Sequence, residues 1–159
     1  MNDGITIRTA HPNDWETIAE FNTRLALETE EKKLVADTIA KGVQNLLADP
    51  RRGQYFVAEV DRRIVGQMMH TFEWSDWRNG EIWWLQSVYV DSDFRRKGVF
   101  RKLYRHIEEL AERMPNVVGI RLYVEKHNFK AFEAYRSLGM HDAGYAVMER
   151  MFEFGQSDK

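Results

Sequence analysis

The sequence contains no cysteine, which excludes a disulfide framework, a thiolate metal site and catalysis by a cysteine nucleophile. It has only 3 prolines in 159 residues. Pro12, Pro50 and Pro115 stand where elements can begin or end, and no Pro/Gly/Ser-rich linker divides the chain. No apolar run approaches the roughly 18 residues that would span a bilayer, and the opening MNDGITIRTAHPNDWE lacks the apolar centre of a signal peptide. A cytoplasmic protein with no membrane partner is therefore expected. Positive charge is not in excess either: 23 Lys and Arg against 25 Asp and Glu leave a net charge of −2. That balance argues against a domain that neutralises many nucleic-acid phosphates. The 5 histidines show no paired ligand spacing, so no metal site is indicated.

What is present suits one compact domain over residues 1–159, a length that leaves little room for a second. Hydrophobic residues make up 43% and charged residues 30%, enough for a sizeable core under a solvated surface. Residues 5–8 alternate like a short strand. After His11-Pro12 a helical pattern places Trp15, Ile18, Ala19, Asn22, Leu25 and Ala26 on one side, and a second helix covers 34–47, stopping before Asp49-Pro50. Strands follow at 55–60, 64–72 and 82–90, an antiparallel meander with a polar turn at 75–80.

Val99, Phe100, Leu103, Ile107, Leu110 and Met114 then form an apolar stripe at spacings of three and four, closed by Met114-Pro115. A strand at 118–124, a helix at 128–138 capped by Gly139 and a final strand at 145–154 complete the pattern, with a further short strand near 140–143. A strand, a long helix and a strand in succession imply a right-handed crossover joining two parallel neighbours. The expected class is α/β (α+β), with a mixed, mostly antiparallel sheet of six or seven strands and helices on both faces.

Chemistry concentrates where the strand ending at Val88-Tyr89-Val90 gives way to Asp91-Ser92-Asp93-Phe94-Arg95-Arg96-Lys97-Gly98 and a helix starts at Val99-Phe100-Arg101. The first N–H groups of a helix lack intrahelical partners and carry the positive end of its dipole, so such a turn can hold a phosphate. Gly98 allows close approach, and Arg95, Arg96 and Lys97 supply charge. The same residues also suit a basic, solvated turn in which Gly98 serves only its backbone dihedral.

Arg95-x-x-Gly98 after a strand, opening a long amphipathic helix, resembles the acetyl-CoA motif of the GNAT superfamily of N-acetyltransferases. Asn128-Phe129-Lys130-Ala131-Phe132-Glu133-Ala134-Tyr135-Arg136-Ser137-Leu138-Gly139-Met140 resembles the next motif of that superfamily, at a separation that accommodates one helix and one strand. One position departs: Phe100 stands where the pattern has Gly or Ala. The resemblance implies an acetyl-CoA-dependent N-acetyltransferase. It implies that the main chain of Gln86, Ser87, Val88, Tyr89 and Val90 faces the pantetheine arm, and that Arg95 to Arg101, including Val99 and Phe100, surrounds the diphosphate. Asn128 would lie near the arm, although it is equally well placed to cap its own helix.

An amine attacking a thioester needs a neutral nucleophile, a stabilised oxyanion and a protonated leaving thiolate. Tyr135 suits the third role, because a phenol of ordinary pKa about 10 lies near a thiol at about 8.5. A core position on the inner face of its helix is the plainer role for the same side chain. The resemblance places the oxyanion on a main-chain N–H near Val88 to Val90. A lysine-like amine is neutral only about once in 2,500 molecules at pH 7, a penalty near 4.6 kcal/mol, so a base or desolvation should help. Many relatives have a glutamate at the position of Gln86, which cannot accept a proton. Glu81 is the nearest carboxylate on the same strand, and a base acting through water is an equal alternative.

Glu73 and Asp76 are further candidates for the base, and acceptor contacts are expected from Glu28, Glu73, Trp74, Asp76 and Trp84, since carboxylates beside indoles suit an alkylammonium. Residues 73–77 read equally as a packed turn. Glu28, Glu30 and Glu31 also read as an ordinary solvated helix end. The expected partner is a small cationic amine, and the resemblance allows a homodimer. Two rival classes remain: a non-catalytic acyl-CoA-binding module, and a nucleic-acid module using Arg95, Arg96, Lys97 and Arg101, which net acidity opposes.

Overall fold

A computed structural model describes residues 4–152. The chain divides into two compact units, the first ending at Leu122 and the second beginning at Tyr123.

The first unit opens with strand β1 (Thr6–Thr9), a 3-10 turn at Pro12–Asp14 and helix α1 (Trp15–Glu30). Asp14 accepts the His11 N–H at 2.7 Å and pairs with Arg8 at 2.8 Å, which fixes the entry to α1. Helix α2 (Ala36–Ala48) ends as expected ahead of Asp49-Pro50. Strands β2 (Gln54–Val60), β3 (Arg63–Ser75) and β4 (Gly80–Val90) form the meander. The β2–β3 turn puts Asp61 and Arg62 at positive φ, 49° and 66°, the geometry that matches the twist of a two-residue hairpin. A 3-10 turn at Ser92–Phe94 leads to α3 (Val99–Arg113), then β5 (Val117–Leu122). The sheet order is β1-β2-β3-β4-β5, antiparallel throughout except for the parallel β4–β5 pair.

Alternation along β2 and β3 sends side chains to two opposite faces. Tyr55, Val57 and Met69 pack with Ile18 and Ala19 of α1 and Val43 of α2. Phe56 and His70 point the other way, where Phe56 meets His106 of α3 with ring centroids 5.1 Å apart. Helices thus cover both faces. On the α3 side Val99, Leu103 and Ile107 are buried, each contributing about 1.5–3 kcal/mol by removal from water. The stripe at three and four residue spacing is what turns them inward.

The second unit contains helix α4 (Phe129–Ser137), with Asn128 at its start and Gly139 just after its end. Among the described residues the sheet has five strands, a correction to the six or seven expected. Residues 140–143 and 145–152 form no strand, and 153–154 lie outside the described residues. The alternation in 145–152 is real, but a strand is made by its partner's hydrogen bonds. Here Tyr145, Val147, Met148, Met151 and Phe152 are exposed.

Candidate active site

The end of β4 differs from the rest of the strand. Gln67 pairs with Tyr89 and Met69 with Gln86, so two steps on β3 face three on β4. This is a β-bulge centred on Ser87, which takes φ 53°. A non-glycine residue held there costs about 1–3 kcal/mol and persists only when its surroundings dictate it. The surroundings are buried and polar. Gln67 donates its Nε2 to the Ser87 carbonyl at 3.1 Å, the Ser87 side chain lies close enough to the Tyr55 hydroxyl to favour its ionised form, and Asn22 of α1 donates to the Tyr55 hydroxyl at 3.0 Å. Burial pushes the Tyr55 phenol above its ordinary pKa. Pairing with β5 stops at Leu85↔Leu122, and β4 runs five residues further, to Val90.

Beyond Val90 the chain is anchored. Asp91 is buried, donates its N–H to the Val65 carbonyl at 2.8 Å, and accepts from Arg63 Nη2 at 2.8 Å and from the Asp93 N–H at 3.1 Å. Arg95 donates its Nε to the Val90 carbonyl at 3.0 Å and its Nη2 to Glu28 at 2.7 Å. The same carboxylate accepts the Tyr89 hydroxyl at 3.1 Å. These bonds to Glu28 raise the Arg95 pKa, and burial followed by the Glu28 charge raises that of Tyr89. The C-terminal end of α1 is thus tied to the loop that precedes α3.

That loop surrounds a hollow of about 400 Å³ lined by Val90, Phe94, Arg95, Arg96, Gly98, Val99, Phe100 and Arg101. Gly98 has φ 87°, the left-handed region that L side chains rarely adopt, and a Cβ built there would meet nothing within 4 Å. No side chain caps α3 at Gly98, and its first turn holds no acidic residue. The positive end of the helix dipole therefore faces the hollow with basic residues beside it. Gly66 sets how closely this turn approaches the sheet, since a Cβ there would lie 2.8 Å from Val99 Cγ1.

The structure gathers some of the expected site residues and separates others. Gln86, Ser87, Val88, Tyr89 and Val90 form the bulged end of β4, and Arg95 to Arg101 the adjoining turn. Trp84 and Gln86 pair in register with Thr71 and Met69, which places them with Glu73 on the α1/α2 face. Gln86 donates Nε2 to Thr71 Oγ1 at 2.7 Å, and Arg121 pairs with Glu73 at 3.1 Å. Glu81 is not brought to the bulge. It is the second residue of β4, on the α3 face, accepts the Trp83 indole N–H at 2.9 Å, and lies about 23 Å along the strand from Val88 at ~3.3 Å per residue. Trp74 is opposite Glu81, and Asp76 lies in the hairpin turn, so neither joins Glu73 and Trp84.

In the second unit, Asn128 accepts the Ala131 N–H at 3.1 Å, so it does cap α4. Burial pushes the Tyr135 phenol up to about 12. Tyr55 and Gln67 are buried polar residues to which the sequence pattern assigned no role, and Asn22, expected on the inner side of its helix, was assigned none either. The signal for Gln67 was a lone amide within the apolar run Ile64-Val65-Gly66-Gln67-Met68-Met69, since a polar group buried there needs a partner.

The acetyltransferase (GNAT) family model matches residues 15–140. The chain belongs to that family. A crystal structure described as a possible acetyltransferase from Clostridium difficile 630 is 48% identical, with a TM-score of 0.89 over 94% of this chain and 98% of that one. An aminoglycoside acetyltransferase from an uncultured soil metagenomic sample, in complex with sisomicin, shares the fold, with a TM-score of 0.76 over 96% and 99% of the two chains at 17% identity. The thialysine N-epsilon-acetyltransferase of Bos taurus is 29% identical over 91 residues, 57% of this chain and 52% of that protein. The match therefore spans about half the length of this curated relative. No helix among the described residues is long and apolar enough to cross a membrane.

Proposed function

We propose that residues 1–159 act as one N-acetyltransferase domain that moves an acetyl group from acetyl-CoA to the primary amine of a small cationic molecule. The observation that carries this reading is the adjacency of two features. A bulged strand end runs on past its parallel neighbour, and a glycine-led helix start faces a basic hollow. The residues fit a diphosphate: the turn is cationic, carries no carboxylate in the helix's first turn, and has open space at Gly98. Phe100 forms part of the wall of the hollow and still offers its main chain.

Bound acetyl-CoA supplies the thioester to be attacked and a thiol as leaving group. The first turn of α3, with Arg96 and Lys97, would hold its diphosphate, and residues 86–90 its pantetheine arm. A main-chain N–H at the bulge stabilises the developing oxyanion. Tyr135 is the general acid for the thiolate. Burial holds its phenol well above a thiol at about 8.5, so the close match expected of an ordinary tyrosine is lost. It stays protonated across the working pH range, gives the departing sulfur a hydrogen bond, and hands over its proton only against that difference. The acceptor's proton leaves through water to the carboxylates of the α1/α2 side, Glu28 and Glu73, which also attract a cation. The similarity to the bovine thialysine N-epsilon-acetyltransferase supports a side-chain amine as acceptor.

The test is acetyl-CoA turnover, followed as free thiol, against polyamines, aminoglycosides, amino acids, arylamines and peptide N-termini, with calorimetric CoA binding on the same sample. Turnover with one amine class is expected. Tyr135→Phe should lower it by about 10²–10⁴-fold with CoA affinity retained. CoA binding without turnover for any amine would turn the reading to an acyl-CoA sensor, and absence of CoA binding would overturn it.

A further inference from the structure

Gln67 sits at the centre of the sheet, fully buried, and only half of its amide is used. Its Nε2 reaches the Ser87 carbonyl at 3.1 Å, while its Oε1 is buried without a hydrogen-bond partner. The orientation is dictated, since a flipped amide would set two oxygens against each other. An unpaired buried acceptor costs about 1–3 kcal/mol, close to or above the net return of one neutral hydrogen bond. Gln67 is therefore a poor device for stability. What it does secure is the backbone of Ser87, the one residue of β4 at positive φ.

The other supports of the bulge act elsewhere. Tyr55, itself held by Asn22, engages the Ser87 side chain. Gln67 alone among these three holds the main chain, and its register partner Tyr89 lies directly past the bulge. Releasing the Ser87 carbonyl would let β4 relax toward a regular pleat. Because side chains alternate with period two, removal of the extra residue would invert every position from Val88 onward. The N–H groups at the end of β4 would turn with them.

We propose that Gln67 is a positioning residue for acyl transfer: its hydrogen bond to the Ser87 carbonyl sets the bulge that aims the main chain of Ser87 to Val90 at the thioester-bearing substrate. This rests on the acetyl-CoA reading given above.

Two variants test it. Gln67→Met keeps length and removes both the donor and the unpaired oxygen. It should melt within a few degrees of the parent, yet bind CoA about tenfold more weakly, the loss of one well-placed contact. The Val88 and Tyr89 amide resonances should move and exchange faster with solvent. Gln67→Glu places a carboxyl beside a carbonyl in a buried site, which raises its pKa. Protonated, it donates to Ser87 as the amide does. CoA affinity of this variant should therefore approach that of the parent at low pH and fall as pH rises, while the parent shows no such dependence.

A Met variant with parental CoA affinity and unchanged amide resonances overturns the proposal. So does a Met variant that melts far below the parent, which would make Gln67 a residue of the fold, or a Glu variant with no pH dependence. Failure of the parent itself to bind CoA would instead sink the underlying functional reading.

Discussion

The two ends of β4 do different work. From Glu81 to Leu85 the strand is paired on both sides, with β3 and with β5. Trp83 stacks on His70 at 3.8 Å between ring centroids, and Phe72 meets both rings edge-on. Even its carboxylate is committed, Glu81 accepting the Trp83 indole. From Gln86 to Val90 the strand keeps β3 but has passed its last β5 pair, kinks at Ser87, and is held by buried polar side chains. One strand thus carries a close-packed anchor and an irregular end, the one proposed above to work on the acyl donor. The anchor makes the irregularity affordable, because strain stored at a site persists only where the rest of the fold dictates it.

Removing the anchor should have the largest effect. Trp83 is 5% exposed, and Trp83→Ala should cost about 3–5 kcal/mol, lowering Tm by roughly 2–4 °C per kcal/mol for a chain of this size. Measured on the cold, folded variant, CoA affinity should stay within about threefold of the parent. A tenfold loss there would mean that the two ends are not separable.

Acid should attack the same end. Burial takes the His70 imidazole down to about 4, against about 6.5 in an unfolded chain. Below 6.5 the unfolded state binds the proton more readily than the folded state, so stability rises with pH across this window. The contribution is complete above about 6.5 and is lost progressively as pH falls toward 4, about 3 kcal/mol in all. Burial pushes His106 down as well, which adds the same sign. Denaturant midpoints between pH 7 and 4 check the slope, and His70→Leu should flatten it.

How much of this was legible beforehand follows the same division. The apolar stripe of α3 and the meander strands appear as expected, because their periods are local. The turn at Arg95 to Gly98 also reads directly, since a glycine at a helix start leaves a local mark. The bulge does not, because it depends on Gln67, on a different strand twenty residues away. Glu28 looks like a solvated helix end until Tyr89 and Arg95, 61 and 67 residues distant, are seen bonded to it. Glu81 looks close to the working end, because sequence proximity ignores the length and faces of a strand. The segment 145–152 alternates like a strand, yet pairing partners are not written in a segment's own pattern.

At the working end, backbone geometry should matter more than side-chain bulk. Gly98→Ala adds a Cβ that meets nothing within 4 Å but must accept φ 87°. The left-handed conformation costs about 1–2 kcal/mol for such a residue. Part of that should appear as lost stability, and part as a several-fold higher Kd for CoA as the turn relaxes. Gly66→Ala supplies the contrast, since its Cβ would press on Val99 at 2.8 Å, a packing strain seen in Tm.

The smallest effect on stability, and the most informative one on charge, should come from Glu28→Gln. Both partners of the Glu28–Arg95 pair are nearly half exposed, and exposed pairs contribute at most about 1 kcal/mol, so Tm should hardly move. Arg95, however, loses the carboxylate that compensates it beside the hollow. If Arg95 faces a diphosphate there, CoA should bind the variant about two- to fivefold more tightly, with a steeper dependence on salt. A cationic acceptor, deprived of an attracting carboxylate, should show a raised KM, with kcat lowered only in part because Glu73 remains to take the acceptor's proton. Weaker CoA binding with an unaltered salt slope would reverse this picture. Glu28 would then orient Arg95 for the cofactor, and α1 would belong to the working end of β4 as a structural support.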